Sequence, residues 1–142
     1  RRDSVYDSYI VEAKKLGVND SVIFTGFVSE GTLKWLFRGC KVYVFPSLSE
    51  GFGLPGLEAM LHRAPVVSSD ATCLPEIYGD AAWYCNPLDV HDIARSTDEV
   101  LVNTELRNTL VRRGRERAKS FSWQRMAEQT LAVYNQALSG KK

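Results

Sequence analysis

Val42-Tyr43-Val44-Phe45-Pro46-Ser47-Leu48-Ser49-Glu50-Gly51-Phe52-Gly53-Leu54-Pro55-Gly56-Leu57-Glu58-Ala59-Met60 reads as a buried strand, a glycine-bearing loop and the start of a helix. Residues 42–45 are apolar and rich in β-branched and aromatic types, and Pro46 ends the run. Pro55 stands in the first helical turn, where its missing N–H would lack a partner anyway. The loop therefore lies at the carboxyl end of a strand, the edge where open α/β sheets bind ligands. Gly51 and Gly53 allow close approach of backbone to a ligand. The N–H groups of Gly53, Leu54 and the first turn point to the same place, where the helix dipole favours an anion. Glu50, in the loop, can accept hydrogen bonds from sugar hydroxyls. Glu58, one turn into the helix, can turn back to receive a diol such as a ribose. Two acceptors beside a phosphate-binding backbone suit a phosphate with a sugar on either side, a nucleotide sugar. Glycine-rich turns between strand and helix also arise for structural reasons, and a glutamate in a first turn often only complements the dipole. The residues alone leave both readings open.

Outward from this stretch, strands and helices alternate. Tyr6, Tyr9, Ile10, Ala13 and Leu16 recur at helical spacing, with Gly17 as the stop. Val22–Gly26 predicts a buried strand, with Asn19-Asp20-Ser21 as the turn entering it. Ser29 can cap a helix whose Leu33, Leu36 and Phe37 form one face. After the helix begun at Pro55 and run to about Arg63, Pro65–Ser68 predicts a third strand, with proline at its first residue. Ala81–Cys85 predicts a fourth, weaker one. Helical segments then begin near Asp89, Thr104 and Trp123, the last capped by Ser122, with Phe121 and Met126 at the spacing of a hydrophobic staple. The pattern predicts an α/β fold, a parallel sheet with helices on both faces. No internal repeat, low-complexity tract or internal domain boundary interrupts it.

The 142 residues make one domain's worth of chain. A net charge of +1 supplies no general attraction for nucleic acid or anionic membrane, so any anion site is local. Cys40, Cys73 and Cys85 are far apart and remote in sequence from His62 and His91. That spacing argues against a zinc site or disulfide framework and suits a reducing compartment. No apolar stretch reaches the roughly 20 residues a spanning helix needs. Arg1-Arg2-Asp3 opens a polar segment without a signal-peptide core. Arg112–Lys119, rich in arginine but without interleaved aromatics, reads as a solvated helix face rather than a nucleic-acid patch. Both histidines read as surface or helix-end residues. Trp35, Trp83 and Trp123 read as core packing, and Glu76 as capping or turn stabilisation or a neighbour of the pocket.

Pro46-Ser47-x-x-Glu50-Gly51-Phe52-Gly53-Leu54-Pro55-x-x-Glu58-Ala59-Met60 is similar to the E-x7-E signature of glycosyltransferase family 4, retaining enzymes of the GT-B fold. The agreement continues through Val22-x-Phe24-x-Gly26, Pro65-Val66-Val67, Leu74-Pro75-Glu76, Gly79-Asp80-Ala81-Ala82 and Phe121-Ser122-Trp123. It covers nearly the whole chain in the right order. The resemblance implies that residues 1–142 are a partial C-terminal nucleotide-sugar-binding domain. Its fold would be a three-layer Rossmann-like parallel sheet, the C-terminal half of a GT-B fold, truncated at its N-terminus. It implies that Glu50, at the catalytic centre, contacts the donor sugar's hydroxyls without acting as a nucleophile, and that Glu58 binds the ribose. Backbone amides of Gly51, Phe52, Gly53 and Leu54 would hold sugar and diphosphate, and Phe27 and Val28 would frame the base. A hexose would pass from a donor such as UDP-glucose or GDP-mannose to a glycan or lipid-linked acceptor. Transfer would take place on one face of the sugar, with positioning and charge stabilisation as the catalysis and no metal or other cofactor.

Two departures stand out. The family closes the helix before its Pro-Val strand with glycine, whereas this chain has His62-Arg63-Ala64. A left-handed Arg63 would cost on the order of 1 kcal/mol. The family's opening strand, its Gly-Arg and lysine clamp on the diphosphate, its next strand and its acceptor-binding N-terminal domain have no counterpart before Arg1. The resemblance therefore implies a fragment of a longer enzyme, inactive alone. Val22–Gly26 would then pair directly with Val42–Phe45, or its edge would be filled by another copy or a second polypeptide. The compartment implied is the cytoplasm, or the inner membrane's surface through the missing domain. A non-catalytic nucleotide- or sugar-binding module is the rival reading. A pyridoxal-phosphate phosphorylase is excluded, because no lysine lies between Lys41 and Lys119.

Overall fold

A computed structural model describes residues 4–140, which leaves the Arg1-Arg2-Asp3 start outside the described residues. The chain divides into two compact units, Arg1–Glu30 and Gly31–Lys142. In the first unit, α1 (Ser4–Lys15) ends as its glycine predicts. Gly17 takes φ +69, its N–H donates to the Lys14 carbonyl and the Val18 N–H to the Ala13 carbonyl, both at 3.0 Å. A short 3₁₀ turn follows at Asn19–Ser21.

The strand expected at Val22–Gly26 does not form. Val22 is extended, but the run joins no ladder among the described residues, and Ile23 is 87% exposed. Phe24 instead meets Tyr6 edge-on, with ring centroids 5.4 Å apart. β-Branched and aromatic residues make a segment suitable for a sheet; only a neighbouring strand can satisfy its N–H and C=O groups.

The second unit holds a parallel sheet of three strands in chain order. α2 (Glu30–Gly39) leads into β1 (Tyr43–Phe45), α3 (Leu54–Leu61) into β2 (Val66–Ser69), and α4 (Leu74–Tyr78) into β3 (Ala82–Cys85). Val66 aligns with Tyr43 on one side and Ala82 on the other. Alternate side chains go to opposite faces. Val66 joins Phe37, Leu57, Met60, Leu74 and Tyr78 in one core, and Val67 joins Cys85, Val100 and Leu110 in the other. Helices α2, α3 and α4 thus cover one face, while α5 (Val90–Val102) and the start of α6 (Thr104–Lys119) cover the second. This is the three-layer parallel α/β architecture expected. β2, paired on both sides, is buried throughout; β1, paired only with β2 among the described residues, is half-buried rather than buried.

Local signals were accurate at most ends. Asp89 caps α5, Asn103 caps α6, and Ser122 caps α7 (Trp123–Leu138) through the Arg125 N–H at 3.1 Å. α3 closes with Arg63 at φ +70, its N–H on the Met60 carbonyl and the Ala64 N–H on the Ala59 carbonyl. Arginine here takes the conformation usually reserved for glycine. The three tryptophans do not share a fate. Trp83 is half-buried against the second core, whereas Trp35 and Trp123 are 71% and 73% exposed. Trp35 lies off the Leu33–Phe37 face of α2, and α7 has no buried residue to offer Trp123 company. No helix among the described residues is long and apolar enough to cross a membrane.

Candidate functional site

The loop between β1 and α3 emerges at the carboxyl edge of the parallel sheet. Gly53 precedes α3 at φ +83, and Pro55 occupies the first turn. The N–H groups of Gly51, Phe52, Gly53 and Leu54 find no hydrogen-bond acceptor among the described residues. Four consecutive free donors leading into a helix N-terminus are chemically suited to an anion.

The two loop glycines serve different ends. A Cβ at Gly51 would meet nothing within 4 Å, so this residue faces open space. A Cβ at Gly53 would stand 2.4 Å from Leu74 Cδ2 and 2.5 Å from Tyr78 Oη. Gly53 is therefore required by the packing beneath the loop and by its left-handed backbone. Gly56 is pressed against the same tyrosine, its added Cβ falling 2.3 Å from Tyr78 Oη.

Glu50 is half-buried, and Ser47 Oγ donates to its Oε1 at 3.0 Å. Glu58 is exposed, and its carboxylate has no partner among the described residues. Both carboxylates act on the same neighbour: the Tyr43 phenol is pushed up to about 12, by burial first, then by the charges of Glu58 and Glu50. Two acceptors thus border one stretch of free backbone donors.

Segment 69–78 grips the loop from below. Ser69 Oγ donates to the Ser47 carbonyl at 2.5 Å, and Cys73 Sγ donates to the Glu50 carbonyl at 3.1 Å. Thr72 Oγ1 accepts from the Glu50 N–H at 3.3 Å. The buried Tyr78 donates its hydroxyl to the Gly53 carbonyl at 2.5 Å, and burial raises its pKa well above the usual phenol range. None of Ser69, Thr72, Cys73 or Tyr78 stands out in the sequence as a site residue. Their partners lie 22 to 25 positions away, beyond the reach of any local pattern.

The basic run on α6 is not merely a solvated face. Arg117 donates Nε to the Ile77 carbonyl at 2.7 Å and Nη2 to the Glu76 carbonyl at 2.5 Å, while its guanidinium lies 5.2 Å from the Phe121 ring centroid. Phe121 in turn meets Phe52 edge-on at 5.6 Å. Arg113 holds the Asp80 carbonyl and carboxylate, both at 3.3 Å. Gly114, whose Cβ would stand 2.9 Å from Met60 Cγ, lets α6 approach α3 closely enough for this. Arg117 is half-buried, whereas Arg112, Arg113, Arg115 and Lys119 stay exposed, so the run is a solvated face with one inward arginine that its even hydrophilicity did not single out.

Phe27 and Val28 belong to the first unit, where Phe27 is fully exposed and Val28 half-buried. Glu76 lies in the first turn of α4 with its side chain exposed. His62 is the C-cap of α3 and stacks on Phe37, and His91 sits in the first turn of α5, so both are helix-end residues. The cysteines are unpaired, with Cys85 buried and Cys40 and Cys73 half-buried.

Residues 4–117 match the family described as Glycosyl transferases group 1. The chain belongs to that family. The O-antigen chain mannosyltransferase B of Escherichia coli is 40% identical over 111 residues, covering 78% of this chain and 29% of the relative. The MMP alpha-(1->4)-mannosyltransferase of Mycolicibacterium hassiacum is 37% identical over 129 residues, covering 88% and 31%. The chain thus spans less than a third of the length of either relative. Among solved structures, the sucrose-phosphate synthase of Thermosynechococcus elongatus superposes with a TM-score of 0.83 at 27% identity, covering 99% of this chain and 36% of that one. The C-terminal domain of a glycosyl transferase group 1 family protein from Francisella tularensis gives 0.72 at 28% identity, covering 84% and 63%. The parallel α/β unit of this group 1 glycosyltransferase chain is therefore the fold class of GT-B enzymes, as its sequence implied.

Proposed function

We propose that the chain is the donor-binding part of a retaining glycosyltransferase of family 4, moving a hexose from a nucleotide-diphosphate sugar to a glycan or lipid-linked acceptor. The observation that carries this reading is the row of free N–H groups from Gly51 to Leu54, bordered by Glu50 on one side and Glu58 on the other. Backbone donors at the start of α3 suit the diphosphate, whose negative charge grows as the sugar departs. Donors already aimed at that charge stabilise the transition state without reorganising. Glu58, exposed and unpaired, is suited to a ribose diol, and Glu50 to the hydroxyls of the transferred sugar. In this reading Glu50 orients the sugar and forms no bond to it. Neutralisation of the diphosphate rests on backbone and basic side chains, without a metal. The names of the mannosyltransferase relatives favour a mannosyl donor over a glucosyl one. The acceptor side is supplied by the remainder of a longer enzyme, in keeping with matches that cover less than a third of either relative.

The test is a titration of the full-length gene product with GDP-mannose and UDP-glucose, with Glu58→Ala alongside. Loss of a ribose-bound carboxylate should weaken donor binding by roughly tenfold or more, since hydrogen bonds to charged groups are worth about 1.5–3 kcal/mol. Unchanged donor affinity in Glu58→Ala would remove the ribose assignment. Binding without sugar transfer to any acceptor would return the chain to a non-catalytic module.

A further inference from the structure

Only two non-glycine residues among the described residues have left-handed backbone, Arg63 at φ +70 and Thr72 at φ +52. Arg63 closes a helix, a common setting for this conformation. Thr72 lies between β2 and α4 and closes nothing, and a β-branched residue is among the types least suited to positive φ. Strain of this kind persists only where the surrounding structure enforces it. What accompanies it here is a contact with the site. Thr72 Oγ1 accepts the Glu50 N–H at 3.3 Å, and the next residue, Cys73, donates to the Glu50 carbonyl at 3.1 Å. Both peptide groups of Glu50 are therefore held by neighbours 22 and 23 positions away, and neither by its own loop. Glu50's side chain has one further tether, the Ser47 hydroxyl. The direction of its carboxylate is set by the backbone that Thr72 and Cys73 clamp.

We infer that Thr72 is a positioning residue, whose strained turn holds the Glu50 peptide so that the carboxylate faces the transferred sugar. The inference rests on the role proposed for Glu50 above. Glycine at 72 would fit the backbone with less strain but would leave the Glu50 N–H unheld. Stability and activity should therefore respond in opposite directions.

The experiment compares Thr72→Gly and Thr72→Ser in the full-length gene product, each alone and in a Glu50→Ala background, with GDP-mannose as donor probe. Thr72→Gly should keep or raise Tm while kcat falls about tenfold, because small misplacements of a positioned group are costly. The donor KM should change by less than about threefold, and Thr72→Ser, which keeps the hydroxyl, should restore most of kcat. In the Glu50→Ala background Thr72→Gly should cost nothing further, the mark of a residue acting through Glu50. Amide exchange at Glu50 is a readout independent of turnover, and should be faster in Thr72→Gly than in Thr72→Ser. Wild-type kcat in Thr72→Gly, an equal loss in the Glu50→Ala background, or equal exchange rates would each overturn the inference. A wild-type protein that transfers no sugar would sink the glycosyltransferase reading instead, and the exchange rates would still decide the role of Thr72.

Discussion

Between β1 and α3 the chain leaves four successive N–H groups free, from Gly51 to Leu54; between β2 and the end of α4 it directs four side chains onto the backbone of that first loop. The two loops leave the same edge of the sheet and are built from opposite chemistry. The first has glycine, little side chain and unused donors. The second has Ser69, Thr72, Cys73 and Tyr78, each committed to a carbonyl or N–H of the first. A loop that keeps its own hydrogen-bonding capacity for a ligand cannot also use it to hold its shape, and glycine adds conformational freedom. The shape must come from elsewhere, and here the adjacent strand-to-helix connection provides it.

The sharpest way to break this comparison is Gly53→Ala. It places a Cβ at φ +83 and within 2.4 Å of Leu74 and 2.5 Å of Tyr78. Left-handed strain and overpacking together should lower unfolding stability by about 3 kcal/mol, read from urea denaturation. An unchanged midpoint would mean the second loop does not press against the first. Tyr78→Phe removes one support and leaves the ring in place. Its loss should be about 1 kcal/mol, since the Gly53 carbonyl retains the Gly56 N–H at 3.2 Å. If the second loop organises the first, donor affinity should fall in this variant too, while a variant that merely loosens the core would leave it unchanged.

The loop after β3 supplies the smallest effect and a control. There Asp92 accepts the Asn86 N–H at 2.8 Å and pairs with Arg95 at 2.7 Å. The Asn86 N–H first, and Arg95 second, hold the Asp92 carboxyl below its ordinary range. The folded state thus prefers the ionised form. Asp92 contributes fully above its unfolded pKa of about 4, and that contribution is lost as pH falls through the lowered folded value. Thermal melts from pH 6 downward should show a shallower acid loss in Asp92→Asn than in wild type. Donor binding near neutral pH should be the same in both.

Much of the second unit was legible from local patterns because its elements carry their own punctuation. Pro55, Asp89, Asn103 and Ser122 sit where helix starts need them, and the Val66-Val67 pair after Pro65 marks the strand covered on both faces. The reading failed where the outcome depended on a neighbour. Val22–Gly26 has as strong a β composition as Val42–Phe45, yet only the second has a partner strand. Trp35 and Trp123 are as apolar as Trp83, yet only Trp83 has a core against it. In Arg112–Lys119 five of the eight residues are basic, and nothing local distinguishes Arg117, which binds two α4 carbonyls, from Arg115, which binds none among the described residues.

By itself the sequence determined the alternation of strand and helix, the positions of most caps, and the segment Glu50–Glu58 as the candidate site, since each depends on residues a few positions apart. Tertiary structure alone decided which apolar run became a strand, why Gly53 must be glycine, and which side chains hold Glu50 in place. Those outcomes depend on which elements lie side by side, and ladder bonds and side-chain clamps across 22 to 25 residues leave no mark on the local pattern.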